Sequence, residues 1–176
     1  MIATAKACYE ANPTPLSRYA LAEIVNIHDS ALEFEPIYRV LFGVEPTKLL
    51  AELQSYFAEH STEETQEIIA VYGENEQKIR IPALTSLALS TLQAFLDGYL
   101  KQHPEVSIDY IHGIKETKAL AQKENTIGFL FDGMKKEELF PAVEKDGALV
   151  RKTFSMGSAA DKRYYLESRR IQKHPR

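Results

Sequence analysis

The fold is decided by the stretch that runs from Val106-Ser107-Ile108-Asp109-Tyr110-Ile111 to Ile127-Gly128-Phe129-Leu130-Phe131. Both ends are apolar runs of strand length, and residues 115–123 between them favour a helix. Two strands that are joined by a helix through short links run parallel, with a right-handed crossover. The stretch therefore predicts a C-terminal βαβ unit, in an α+β fold whose mixed β-sheet has flanking helices.

Outward from this unit, the patterns predict further helices and strands and one β-hairpin. Apolar residues recur at helical spacing over 46–60 and 84–102, which is typical of helices packed on a core. Residues 67–72 and 77–81 flank the turn Gly73-Glu74-Asn75-Glu76 and predict the hairpin. The remaining predicted elements are helices over 2–11 and 137–145 and a buried strand over 19–27. Residues 33–42, which contain Pro36, predict an edge strand or an extended crossing segment.

Length and composition predict a single globular domain over residues 1–176. The chain is 44% hydrophobic and 26% charged, which is ordinary for a domain with a buried core. No apolar run approaches the roughly 20 residues that cross a bilayer, and the N-terminus lacks the pattern of a signal peptide. We therefore expect a cytoplasmic protein with no membrane partner. The single Cys8 agrees, and its side chain is expected to be a small buried hydrophobe.

Basic residues are concentrated at the C-terminus. Six of the residues 162–176 are Lys or Arg and one is acidic, so this tail carries +5 within a chain of net charge −4. A basic tail can attract nucleic acid. Because no groove-reading motif accompanies it, a solvated terminus is the favoured interpretation, and nucleic acid is not an expected partner.

A first candidate site lies at the end of the predicted strand over 19–27. Asn26 and His28 are two residues apart, so their side chains would share one face of a strand, and Asp29 follows directly. An imidazole beside a carboxylate can transfer protons or hold a metal. The alternative is a turn in which Asp29 binds local backbone N–H groups and His28 is only packed.

A second carboxylate, Asp132, directly follows the predicted strand that ends at Phe131. An aspartate in this position can bind Mg²⁺. Asp132-Gly133 is also a common turn pair, and the turn is the favoured interpretation.

The segment from Arg151 to Gly157 is the strongest candidate for an anion site. It holds two cations, Arg151 and Lys152, and two hydroxyl groups, those of Thr153 and Ser155. Such groups bind phosphate or carboxylate oxygens, and a glycine lets the backbone approach an anion. The segment lacks the glycine pattern of a P-loop. An ordinary surface loop, whose cations meet nearby acids, is an equally open interpretation.

The chain resembles the bacterial and archaeal proteins of domain-of-unknown-function family 1015. The stretches that carry the resemblance are 3–6 (Ala-Thr-Ala-Lys), 25–29 (Val-Asn-Ile-His-Asp), 34–42, 151–157 and 162–167. The family is longer, and it is similar to the ParB and sulfiredoxin superfamily, some of whose members transfer phosphoryl groups. The resemblance implies that a polar Asp-Gly-x-His element precedes the first helix in the family. We therefore expect this chain to be the C-terminal portion of a longer protein.

These observations lead to a hypothesis of a nucleotide-dependent phosphotransferase-like enzyme that binds a small anionic molecule. The candidate catalytic residues are His28 and Asp29, and the candidate anion-binding residues are Asn26, Arg151, Lys152, Thr153 and Ser155. ATP and Mg²⁺ are the cofactors that this hypothesis allows, and the sequence defines no metal ligands. The alternative is a non-catalytic interaction module that associates with itself as a homo-oligomer.

Overall fold

The computed structural model describes residues 2–19 and 24–157. The chain divides into two compact units, one made of residues 1–27 and 163–176 and the other of residues 28–162. Within the part of the chain that is described, no helix combines the length and the apolar character that crossing a bilayer requires.

The described part of the first unit is a helix followed by a turn. Helix α1 spans Ile2–Ala11, as predicted. The turn after it is held by Ser17 and Thr14, each of which accepts a hydrogen bond from the other's main-chain N–H. The strand predicted over 19–27 is wrong for its described residues, since Ile24 is 99% exposed and no described strand pairs with residues 24–27. Residues 20–23 of that prediction lie outside the described residues.

The second unit contains all six described strands and four helices. The strands are β1 Phe34–Phe42, β2 Thr65–Tyr72, β3 Asn75–Pro82, β4 Ser107–His112, β5 Thr126–Leu130 and β6 Phe154–Met156. The helices are α2 Pro46–Ala58, α3 Ala88–Gln102, α4 Ile114–Ala121 and α5 Leu139–Asp146, the last preceded by a 3₁₀ turn at Lys136–Glu138. The elements predicted between residues 33 and 145 are therefore present, and the α+β class is confirmed.

The strands form one sheet in the order β3-β2-β5-β1-β4, with β6 paired to the start of β1. Each described pairing is antiparallel. Strands β4 and β5 flank β1 on either side and therefore run parallel to one another, connected by α4, as the βαβ prediction requires. The β2–β3 hairpin is also confirmed, with Tyr72 opposite Asn75 across its turn.

The prediction that residues 33–42 form an edge strand is wrong, because β1 lies in the interior of the sheet. Strand β4 pairs with it from Ile37 onward and β5 from Arg39 onward. Pro36 lies before both of these ladders, so its missing N–H interrupts neither of them. One proline at the start of a strand is compatible with a central position.

Helices cover the sheet on both faces. Gly128 of β5 faces α4, since a Cβ built on it would lie 2.9 Å from the Thr117 side chain. Successive residues of a strand point to opposite faces. Arg39, which is opposite Phe129, accordingly contacts Gln93 of α3. The side chains of α2 and α3 complete the core on this face, with Leu49, Leu53, Leu92 and Leu96 each 0% exposed.

Candidate functional site

Arg39 is the buried centre of the candidate site. It lies in the middle of β1 and is 0% exposed. Its guanidinium donates hydrogen bonds to the carbonyls of Ile37 (2.6 Å), Lys152 (3.1 Å) and Arg151 (3.0 Å). Its Nε donates to the side-chain oxygen of Gln93 at 2.8 Å. A buried cation is tolerated only where its donors are satisfied, and here carbonyl and amide oxygens accept from it.

The charge of Arg39 is retained in this environment. Burial is the main cause that lowers its pKa, to about 10, and the nearby Arg151 lowers it further, while Tyr110 and Asp97 act in the opposite direction. A guanidinium with this pKa is protonated at neutral pH. Asp97 also fixes Gln93, whose amide donates to Asp97 Oδ1 at 2.8 Å.

The loop at residues 150–153 takes its shape from these contacts. The carbonyls of Arg151 and Lys152 point toward Arg39, while both of their side chains are exposed. Lys152 has a φ of 57°, in the left-handed region. Thr153 donates its hydroxyl to the carbonyl of Val150 at 2.6 Å. These hydrogen bonds hold the loop backbone against Arg39, while the side chains of Arg151 and Lys152 are exposed to solvent.

Tyr110 of β4 connects the buried and the exposed guanidinium groups. The Cζ of Arg39 lies 4.7 Å from the centre of its ring and that of Arg151 lies 5.3 Å from it, both within cation–π range. No ion pair within the described structure involves Arg39, Arg151 or Lys152. Two guanidinium groups therefore lie close together, with the exposed Lys152 next in the chain, and none of the three cations forms an ion pair in the described structure.

Two polar groups of β4 were not predicted as site residues from the sequence. Tyr110 Oη and His112 Nδ1 are buried atoms that have no hydrogen-bond partner in the described structure. His112 Nδ1 lies 3.9 Å from a carboxylate oxygen of Glu35, beyond hydrogen-bond distance. The sequence offered one signal for this region, since Arg39 interrupts the apolar run from Ile37 to Phe42.

The site residues predicted from the sequence fall into three groups, and the first two lie between residues 151 and 155. Arg151 and Lys152 are exposed beside Arg39, whereas Thr153 and Ser155 are each only 7% exposed, and Ser155 lies opposite Glu35 in the β1–β6 pairing. The loop therefore offers an incoming anion its cations more readily than its hydroxyls.

The other predicted residues lie before β1. Asn26 belongs to the first unit, and both Asn26 and His28 are engaged in interactions. Asp29 accepts a hydrogen bond from the N–H of Ala31 at 2.9 Å, and Lys136 Nζ donates to the main-chain carbonyl of Asp29 at 2.7 Å. Asp29 thus makes the local turn contact that was the alternative interpretation of this segment.

Metal-binding side chains do not converge in the described part of the chain. No group of three or more His, Cys, Asp or Glu residues there is arranged to hold a metal ion. Asp132, the other candidate Mg²⁺ ligand, is an exposed residue just beyond β5.

Comparison with protein families identifies the family of this chain. Residues 2–99, more than half of the sequence, match the family described as "Protein of unknown function (DUF1015)". The chain belongs to the DUF1015 family. The matched segment runs from α1 into α3, so the loop at residues 150–153 of this DUF1015 chain lies outside it. No curated protein matches the sequence.

The DUF1015 chain shares its fold with solved structures of low sequence identity. A conserved hypothetical protein from Pyrococcus furiosus superposes with a TM-score of 0.57 at 18% identity, over 78% of this chain and 61% of the other. A mutant free serine kinase in complex with ADP gives 0.56 at 14% identity, over 77% and 58%. The same kinase mutant in complex with AMP gives 0.55 at 17% identity, again over 77% and 58%. The DUF1015 chain thus spans about three-fifths of the length of these proteins.

Proposed function

We propose that this DUF1015 chain is part of a cytoplasmic, nucleotide-dependent phosphotransferase-like enzyme and holds a small anionic substrate at the loop of residues 150–153. One observation carries the proposal. The guanidinium groups of Arg39 and Arg151 both lie against the ring of Tyr110, Lys152 follows Arg151 in the same loop, and none of the three has an ion-pair partner among the described residues. Like charges held together raise the energy of the site, and a bound anion would lower it.

The loop is suited to recognise the oxygens of a phosphate or carboxylate group. A guanidinium forms short, charge-assisted hydrogen bonds to such oxygens, and Arg151 is exposed for that purpose. The buried guanidinium of Arg39 adds positive charge behind the loop and holds the loop backbone in place through its hydrogen bonds. Donors that are fixed before the substrate arrives stabilise developing negative charge without reorganising, which is the main protein contribution in phosphoryl transfer.

The proposal also includes a nucleotide substrate and roles for the remaining candidate residues. The fold shared with a free serine kinase solved with ADP and AMP supports a nucleotide substrate such as ATP, with Mg²⁺. His28 and Asp29 are proposed to orient substrate or metal, and Thr153 and Ser155 to contribute to anion binding. We also propose that the chain corresponds to the C-terminal portion of a longer protein related to the ParB and sulfiredoxin superfamily.

Calorimetric titration of the whole chain with inorganic phosphate, and with ATP and Mg²⁺, tests this proposal. Lys152→Asn removes the charge while keeping a residue that tolerates the left-handed backbone, and Arg151→Gln removes the second charge. Each variant should weaken binding at least about tenfold, because a hydrogen bond to a charged group is worth about 1.5–3 kcal/mol. Lys145→Asn, at an exposed lysine in the last turn of α5, is the matched control. Equal affinities for the wild type and both loop variants would refute the anion site.

Self-association is the second candidate function, and helix α5 favours it. Phe140 is 61% exposed and Val143 is 40% exposed, and these residues are neighbours on one side of the helix. We propose that this apolar surface joins two copies of the chain. Light scattering over a range of concentrations should then show a dimer, and Phe140→Ser should shift it to the monomer. A wild-type chain that stays monomeric at high concentration excludes this candidate.

A further inference from the structure

A second cleft lies on the face of the sheet opposite the loop of residues 150–153. Tyr38 and Arg39 are neighbours in β1, so their side chains point to opposite faces. Tyr38 lines a cavity of about 280 Å³ at the ends of β2 and β5, beside the first turn of α4. Ile69, Leu130 and Phe131 provide its apolar wall. Ile114, also in the lining, is 50% exposed, so a large apolar side chain faces water at this cleft.

The hydroxyl of Tyr38 is an unused polar group in this cleft. Tyr38 is only 6% exposed, and its ring packs edge-on against Phe131 at 5.4 Å between centroids. Within the described structure its hydroxyl forms no hydrogen bond, and it is not one of the orphaned polar atoms sealed from solvent, which are those of Tyr110 and His112. The hydroxyl is therefore open to the cleft and available to a ligand.

Asp132 is a negative charge in the same cleft that forms no ion pair of its own. Its charge reaches Lys78, whose pKa is raised mainly by the hydrogen bond to Glu67 and less by Asp132. The other two carboxylates in the lining are neutralised, Glu67 by Lys78 at 2.9 Å and Glu76 by Lys118. No ion pair or hydrogen bond involves the Asp132 carboxylate within the described structure. Burial raises the pKa of Tyr38, and the charge of Asp132 raises it further, which places the carboxylate within electrostatic reach of the hydroxyl.

The backbone that carries Asp132 is held close to β1. A Cβ built on Gly133 would lie 3.2 Å from Cδ of Pro36, so only glycine permits this approach without displacement. The position of Asp132 at the cleft is thus fixed by packing on its neighbour.

We propose that this cleft binds a small organic ammonium ion with an apolar body. The ammonium group pairs with the Asp132 carboxylate and donates a hydrogen bond to the Tyr38 hydroxyl oxygen, which neutralises the unpaired charge. The apolar body packs on Ile69 and covers Ile114, removing its exposed surface from water. A small anion does not suit the cleft, because the net charge of its lining carboxylates and their lysine partners is negative.

Titration with benzylamine tests the proposal, and benzyl alcohol is the neutral control of the same shape. Binding is followed by calorimetry and by NMR shifts of residues 130–133 in the whole chain. Benzylamine should bind at least about tenfold more tightly than benzyl alcohol, since the alcohol lacks the charge that pairs with Asp132. Asp132→Asn should remove this difference, and Tyr38→Phe should weaken benzylamine binding several-fold. Glu144→Gln, at an exposed carboxylate of α5, should leave it unchanged.

Three outcomes would overturn the proposal. They are no benzylamine binding at millimolar concentration, equal binding of benzylamine and benzyl alcohol, and unchanged binding in Asp132→Asn. Because Asp132 is exposed, its variant is expected to fold, and circular dichroism of each variant verifies this. The proposal is independent of the anion site, whose variants Arg151→Gln and Lys152→Asn should bind benzylamine like the wild type.

Discussion

Arg39 Nη1 donates a 3.1 Å hydrogen bond to the main-chain carbonyl of Lys152, 113 positions further along the chain. This contact joins the centre of the sheet to the loop with the exposed cations. It also explains why a charged residue lies in the core, because the carbonyls of the loop and the guanidinium satisfy one another. The anion site that we propose depends on this pairing, which holds the loop while its side chains remain accessible.

Replacing Arg39 with Met should lower the free energy of unfolding by about 3 kcal/mol. The substitution keeps an unbranched apolar side chain but leaves buried carbonyl groups and Gln93 without their donor. Urea denaturation measures the loss, and hydrogen exchange should show faster exchange at residues 150–153. Arg80→Met, at an exposed arginine of β3, is the control, and an equal effect of the two variants would contradict the anchoring role.

Replacing Lys152 with Gly should stabilise the protein. A non-glycine residue with a φ of 57° pays roughly 1–2 kcal/mol for its left-handed backbone, and glycine adopts it at no steric cost. Lys145→Gly, within helix α5, should instead destabilise by about 1 kcal/mol. Thermal unfolding monitors both variants. A lower melting temperature for Lys152→Gly, like that expected for Lys145→Gly, would show that the conformation of Lys152 carries no strain.

Tyr110→Phe should leave the free energy of unfolding unchanged or raise it by about 1 kcal/mol. The hydroxyl that it removes is buried without a partner, so the folded state loses an unfavourable group. Tyr110→Leu should lower stability by about 1–3 kcal/mol, because it also removes the ring that both guanidinium groups contact. Chemical denaturation compares the two variants. A clear loss of stability in Tyr110→Phe would mean that the hydroxyl is hydrogen-bonded in solution.

Gly128→Ala should destabilise the protein by roughly 1–3 kcal/mol through overpacking. The new methyl group would lie 2.9 Å from the side chains of both Thr117 and Val71, at the contact between α4 and the sheet. Gly98→Ala in α3 is the matched control, since nothing lies within 4 Å of its Cβ, and it should raise stability by about 0.5–1 kcal/mol.

A second substitution tests the cause of the Gly128→Ala effect. Adding Thr117→Ser removes the methyl group that clashes but keeps the hydroxyl that donates to the carbonyl of Gly113 at 2.8 Å. The double variant should recover part of the lost stability in the same denaturation experiment. Additive losses would mean that the contact with Thr117 is not the source.

The helices and strands between residues 33 and 145 could be predicted from the sequence, because their signals are local, whereas β6 was not predicted. Helical spacing, turn residues and apolar runs each act within a few residues, and they predicted the hairpin and the βαβ unit. The run from Arg151 to Gly157 was also recognisable, since two adjacent cations and two hydroxyls need no partner to be noticed. The apolar run over 19–27 misled the prediction, because a strand requires a neighbour and no described strand pairs with residues 24–27.

The order of the strands and the surroundings of each polar side chain depend on the tertiary structure. Pairing between β1 and both β4 and β5 made residues 34–42 a central strand, although Pro36 suggested an edge. Arg39 holds the loop through a hydrogen bond to a residue about a hundred positions away in the chain. Tyr38 lines a cleft with residues that are similarly distant in sequence. Hydrogen bonds and burial of this kind depend on which distant segments meet, and that follows from how the whole core packs rather than from any local pattern.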